Sequence, residues 1–276
     1  MSPQRLVHTQ PSPPSEPITG RVMKHLAVTF IVAAGLATVF TAWTPASLNP
    51  DELAGQLASI LESESVVPPE LYASEGVVSE DGKLKVGIVA GHSGLHPDTG
   101  VVDPGSICED GLTEVEVNAE IARWTAIYLE AAGLDVEILE EWDPRLQGYR
   151  AVALVSIHAD SCLWINEYAT GYKVTTAVDT VVQDKSQRLV TCVVDRYGAS
   201  TDLYYHPGSI TRDMTEYHTF REIHNQTPAI IIETGFLYLD RDFLTQNPDV
   251  AARGIAEGVL CYVNNEPADL RGGDQP

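Results

Sequence analysis

A chain of 276 residues, 44% of them hydrophobic, has room for one large or two small domains around a sizeable core. Its formal charge of −22 argues against nucleic acid or an anionic lipid surface as the main partner, since both need a basic footprint. That charge favours solubility and identifies no substrate.

Residues 1–25 carry Pro11, Pro13, Pro14 and Pro17 among Ser, Thr and Gln, and read as a disordered cytoplasmic tail. Leu26–Trp43 is uncharged and mostly apolar, just long enough to cross a hydrocarbon core of ~30 Å. Arg21 and Lys24 precede it, and no Lys or Arg occurs from Thr44 to Gly82. The positive-inside rule then predicts a single-pass signal anchor in the cell membrane, with the rest of the chain extracytoplasmic. Secretion after signal cleavage is the alternative, but the leader would be long and no clear Ala-x-Ala site follows. Residues 44–82 read as an acidic linker, with a short helix over 50–64. A catalytic domain is expected over 83–265, and a disordered tail over 266–276.

Within that domain strand and helix patterns alternate. Leu84–Ala90 is an apolar, β-branched run. Glu114–Ala132 puts Val117, Ile121, Trp124, Tyr128 and Ala131 on one helical face, with Gly133 as the stop signal. Strands follow at Val136–Leu139, Ala151–Ile157 and Gly171–Val178, then a helix over Ser186–Tyr197 ending at Gly198. A short strand at Asp202–Tyr205, a strand at Ala229–Ile232 and a helix over Pro248–Val263 complete the set. This order predicts a single α/β domain with a mainly parallel or mixed twisted sheet flanked by helices.

Three of the strand-like runs end on residues able to bind a metal or move a proton: His92, His158 and Glu233. In open α/β sheets the functional crevice lies beyond the carboxyl ends of the strands, so the three should converge. That pattern predicts a metallohydrolase. A hydrolytic zinc site needs a third protein ligand and an open position. Glu114 and Glu116 are candidates, because they open the helix after the long loop beyond His92. Thr113-Glu114-Val115-Glu116 fits a capping box, which occupies Glu116 and leaves Glu114 free to face the crevice. The competing reading of Glu114 is an acid favoured by the helix dipole.

Four elements taken together resemble the zinc-dependent N-acetylmuramoyl-L-alanine amidases of the third amidase class, which are cell-wall hydrolases. They are Ala90-Gly91-His92-Ser93-Gly94, Glu114-Val115-Glu116-Val117-Asn118, Ser156-Ile157-His158-Ala159-Asp160, and Pro228 through Glu233-Thr234-Gly235-Phe236-Leu237. The resemblance implies zinc held by His92, Glu114 and His158, with Glu233 as the catalytic carboxylate. The implied substrate is peptidoglycan, cut at the amide between N-acetylmuramic acid and L-alanine. Departures are Ser93 in place of a glycine, Asp160 in place of an asparagine, and a shortened segment over Asp143–Arg150. Alternatives are a zinc peptidase acting on the stem peptide and a non-catalytic wall-binding regulator on the same fold.

Arg212 and Asp160 are the candidates for contacting substrate. His96 is too close to Gly94 and Pro97 for a helical metal pair, and His206, His218 and His224 are expected at the surface. Tyr204 and Tyr205 are expected to pack. Cys108, Cys162, Cys192 and Cys261 allow three pairings. Cys108 with Cys162 and Cys192 with Cys261 suit an exported protein, with free buried thiols as the alternative.

Overall fold

Continuous apolar strands need cover on both faces, and three elements with that pattern form the middle of the sheet. The computed structural model describes residues 77–270. The expected tail, anchor and linker helix lie outside the described residues, and among the described residues no helix is long and apolar enough to cross a membrane. The five strands are β1 (Lys85–Ala90), β2 (Asp135–Glu140), β3 (Ala153–Asp160), β4 (Lys173–Thr175) and β5 (Ala229–Phe236). Their spatial order is β2-β1-β3-β5-β4. The pairs β1–β2, β1–β3 and β3–β5 are parallel, and only β4 runs antiparallel to its neighbour. The sheet is therefore mixed but mainly parallel. The edges are acidic β2 and three-residue β4, both poor templates for adding another strand.

Alternate strand residues face opposite sides. Ile88, Val155, Ile157, Ile230 and Ile232 join the larger core with helices α1 (Glu114–Ala131), α2 (Gln183–Thr201) and α6 (Pro248–Val263). Val89 and Leu154 face the other way, onto Leu139, Leu146, Tyr149 and Ile223. That second face is covered by turns and by two four-residue helices, α3 (Arg212–Thr215) and α4 (Thr219–Glu222). A further short helix, α5 (Arg241–Gln246), follows β5.

Several expectations are corrected. Asp202–Tyr205 is not a strand: Asp202 turns the chain out of α2 at φ 57°, and Tyr205 makes a single bridge to Tyr172. Gly198 does not stop α2, which continues to Thr201. The strand expected over 171–178 forms a ladder only over β4, with Tyr172 adding the isolated bridge to Tyr205. The folded part also exceeds 83–265. Val77 is buried in the core and its carbonyl accepts the Lys85 N–H, while Ala268 packs on the same core. All four cysteines are paired, Cys108 with Cys162 and Cys192 with Cys261, the second pair joining α2 to α6.

Candidate active site

The first donor is set by a turn. β1 ends at Ala90, and at Gly91 an added Cβ would lie 2.4 Å from Cε1 of His158, so the chain passes where only hydrogen fits. His92 follows in the left-handed region at φ 63°, a conformation costly for a side chain unless neighbours hold it. Here they do: the His92 N–H donates to the Glu141 carboxylate. Ser93 is not left-handed, so the loss of glycine there costs no strain. Its hydroxyl donates to the Ala90 carbonyl and accepts the Glu141 N–H at 3.3 Å.

The second donor opens α1. Thr113 and Glu116 form the expected capping box, with the Thr113 N–H donating to Glu116 at 2.9 Å. Glu114 instead turns inward and is 5% exposed. Its Oε1 lies 3.3 Å from His92 Nε2 and 3.3 Å from His158 Nδ1. It accepts N–H groups from Ser106 at 3.1 Å and Ala159 at 3.3 Å, and Asn118 Nδ2 at 3.3 Å. A carboxylate so enclosed is more than a dipole partner. His158, on β3, is the third donor, and one ligand atom from each of the three lies within 4.8 Å of the others. Zinc bonds of roughly 2.0–2.1 Å arranged tetrahedrally require donor spacings of about 3.3 Å, which the two spacings from Glu114 to the imidazoles match.

Charge fits as well. Burial alone would depress the imidazoles, but the hydrogen bond and charge of Glu114 outweigh it, lifting His92 to about 9 and raising His158. Burial would raise Glu114, yet the two imidazoles hold it well below the carboxylate range. Such a pocket draws cations, and a bound metal would replace the protons.

The sequence profile of the N-acetylmuramoyl-L-alanine amidases matches residues 86–261. The chain belongs to this family. The amidase shares its fold with the CwlD amidase of Clostridioides difficile, solved in complex with the GerS lipoprotein. The TM-score is 0.50 at 19% identity, covering 64% of this chain and 97% of that one. Amidase AmiC2 of Nostoc punctiforme gives 24% identity and a TM-score of 0.49, covering 66% and 97%. Ami1 of Mycobacterium smegmatis gives 16% and 0.49, covering 68% and 99%. No curated protein sequence matches the chain. The amidase hydrolyses the amide between N-acetylmuramic acid and L-alanine in peptidoglycan.

Glu233 sits on β5, in register with His158 on one side and Lys173 on the other. Its Oε2 is shielded from solvent and has no hydrogen-bond partner among the described residues. Burial pushes Glu233 up to about 7, with the His158 charge opposing and Glu114 and Asp160 reinforcing. A cleft of about 510 Å³ opens over this group, lined among others by His92, Glu141, His158, Tyr217, His218 and Glu233.

The sequence missed Glu141 and placed His218 at the surface. Glu141 stands one residue beyond β2, at the same sheet end as the other strand-end residues, and the strand-end rule would have found it had β2 been read longer. Burial would raise Glu141, but the hydrogen bond from His218 and the charges of His158 and His92 bring it down to about 2. His218, expected at the surface, is half-buried in the cleft wall. It stacks on Trp142 at 4.1 Å and lies 3.1 Å from Glu141 and 2.8 Å from Glu222. Neither substrate candidate, Arg212 or Asp160, is among the residues lining the cleft. Arg212 has an 82% exposed side chain paired with Glu216, and Arg221 is the arginine in the cleft. Asp160 is ion-paired with buried Lys173. His96 meets the Trp142 ring at a tilt of 57° with centroids 4.6 Å apart, and neither His206 nor His224 lines the cleft.

Proposed function

We propose that His92, Glu114 and His158 hold one zinc ion in this amidase and that Glu233 moves the proton in amide hydrolysis. The observation that carries this reading is the convergence of three donor atoms within 4.8 Å beside Glu233. Zinc, when bound, supplies Lewis acidity that makes water a nucleophile near neutral pH. His158 offers Nδ1 and keeps its proton on Nε2, which donates to the Tyr217 hydroxyl 3.3 Å away. His92 offers Nε2, and its Nδ1–H faces Asp103 at 3.6 Å. A metal on those two nitrogens would leave the remaining ring N–H groups facing Tyr217 and Asp103. Glu233 takes the proton from the attacking water and returns it to the amine of L-alanine as that leaves. Its β5 position gives proton transfer a rigid base.

The reading is tested by elemental analysis and digestion of purified peptidoglycan. The expected result is close to one zinc per chain, with new free L-alanine amines on intact stem peptides. Full zinc occupancy in a His92→Ala, His158→Ala double variant would overturn the ligand set. Cuts within the stem would favour the peptidase alternative.

Extracytoplasmic placement on a membrane anchor at Leu26–Trp43 is part of the same proposal. It is supported by the charge asymmetry around that segment and by the pairing of all four cysteines. A mature N-terminus beyond Trp43 would refute the anchor.

A further inference from the structure

The sheet sets a lysine beside the proton carrier. Its ladders place His158, Glu233 and Lys173 side by side across β3, β5 and β4. Directly opposed residues project from the same face of a sheet, with Cβ atoms roughly 4.5–5.5 Å apart. Lys173 is only 4% exposed, and a buried ammonium is costly unless a carboxylate pairs with it. Two carboxylates stand near it, Glu233 and Asp160. Both charges of the Lys173–Asp160 pair are felt at Glu233, where Asp160 favours the protonated form and Lys173 the ionised one.

The ammonium goes to Asp160, whose Oδ2 accepts from Lys173 Nζ. Two features of the sheet end make that choice. The β3–β5 register shifts after His158, so Asp160 stands opposite Phe236. An unshifted ladder would set Gly235 there, and a bulge of this kind re-aims side chains. Lys173 Nζ then lies 5.1 Å from the centroid of the Phe236 ring, within cation–π range. The Ser161 N–H donates to Asp160 Oδ1 at 2.8 Å, which fixes the carboxylate and leaves Oδ2 for the lysine. Glu233 Oε2, by contrast, is shielded from solvent and has no hydrogen-bond partner among the described residues.

We propose that Asp160 and Phe236 form a holding site that draws the Lys173 ammonium off Glu233 and keeps that carboxylate free for the proton of the attacking water. The role rests on the reading of Glu233 as the proton carrier. Asp160 and Lys173 act through Glu233, so they are positioning residues. A lysine paired with Glu233 would stabilise its ionised form and weaken it as a base. It would also draw the carboxylate toward β4, away from His158 on the opposite side. Removing the lysine is the milder change, because it leaves Glu233 unpaired but adds the uncompensated charge of Asp160 beside it.

The test compares Asp160→Asn, Lys173→Met and the double variant in the full, zinc-loaded chain. Asp160→Asn frees the lysine, and kcat on peptidoglycan should fall by about tenfold or more with KM and zinc content unchanged. Lys173→Met should lose less, and adding it to Asp160→Asn should restore most of the lost kcat. An ion pair that merely braces the strands predicts the opposite pattern, with the two single variants equally impaired and turnover tracking stability. That pattern, or wild-type kcat in Asp160→Asn, overturns the proposal. Phe236→Leu, which removes the aromatic part of the holding site, should lower kcat by a smaller factor. It serves if Asp160→Asn does not fold, and an unchanged kcat there counts against the holding site. Urea unfolding of the zinc-free chain gives a readout independent of catalysis. Lys173→Met and Glu233→Gln should be more strongly coupled in the Asp160→Asn background than in wild type. Stronger coupling together with a fully active Glu233→Gln variant would sink Glu233 as the proton carrier and leave the holding site standing. Unchanged coupling with an inactive Glu233→Gln variant would do the reverse.

Discussion

The two halves of the active site are held in different ways. His158 and Glu233 sit on neighbouring buried strands, β3 and β5, and the parallel register sets them side by side. Their spacing is a property of the backbone ladder. His92 and Glu114 lie outside the sheet, one in a left-handed turn and the other at the start of a helix. Their positions depend on tethers: the His92 N–H bond to Glu141, the Ser106 N–H bond to Glu114, and the disulfide at Cys108. Changes in the sheet half should therefore alter chemistry and spare geometry. Changes in the tethered half should alter geometry first.

The largest effect tests the sheet half. Glu233→Gln keeps shape and removes basicity, and turnover is expected to fall by on the order of 10²–10⁴-fold with fold and zinc retained. Measured on purified peptidoglycan, near-wild-type cleavage would assign the proton work elsewhere, with His218 examined next.

The disulfides sharpen the contrast. They span 54 and 69 residues, so on chain-entropy grounds each stabilises the fold by about 4 kcal/mol. Urea midpoints of the two double-serine variants should drop alike. Zinc affinity should separate them: opening Cys192–Cys261 loosens helix packing far from the donors, whereas opening Cys108–Cys162 frees the loop that holds Glu114. Equal zinc affinity in both variants would mean the loop is held without its disulfide. Denatured, unreduced wild type should show no titratable thiols.

How much of this was legible in the sequence follows the same division. β1, β3 and β5 are visible as β-branched runs, so His92, His158 and Glu233 are visible as strand ends. Glu114 is separable from Glu116 because a capping box is a local pattern. Glu141 was hidden because β2 is a short acidic edge strand whose end the apolar pattern places too early. His218 was hidden because its site is made by Trp142 and Glu141, which are remote in sequence and meet it only in the fold. Asp160 looked free because its partner Lys173 comes from β4, three residues long and poorly bounded by pattern. Helices α3 and α4 are too short to show a period.

A smaller effect concerns pH in the metal-free protein. Burial raises Glu233 from 4.5 to about 7, so the folded state holds that proton more tightly than the unfolded chain does. The contribution is fully present below pH 4.5 and is lost as pH rises through about 7, at most about 3 kcal/mol. Glu233→Gln lacks this loss. Chelated wild type should thus fall behind chelated Glu233→Gln between pH 4.5 and 8 in urea unfolding. Zinc should narrow the gap, because a nearby cation favours the ionised carboxylate. A gap that is absent at pH 8, or unchanged by zinc, would contradict the placement of Glu233 beside the metal.

The smallest effect probes the tethers without cutting them. Gly105 has φ +66°, and an added Cβ would lie 2.5 Å from Glu114 Oε2 and 2.7 Å from His92 Cδ2. Both neighbours are side-chain atoms of the proposed ligands, so the strain of Gly105→Ala should be relieved by moving them and not by opening the core. The left-handed backbone costs roughly 1–2 kcal/mol, enough to lower stability modestly. Displacement of supported ligands typically weakens metal binding 10–100-fold, and that loss is expected in a zinc competition titration. Turnover at saturating zinc should change less, because His158 and Glu233 stay on their strands. If zinc affinity is unchanged while turnover collapses, the division into a rigid half and a tethered half is wrong, and the loop at Gly105 acts on the substrate directly.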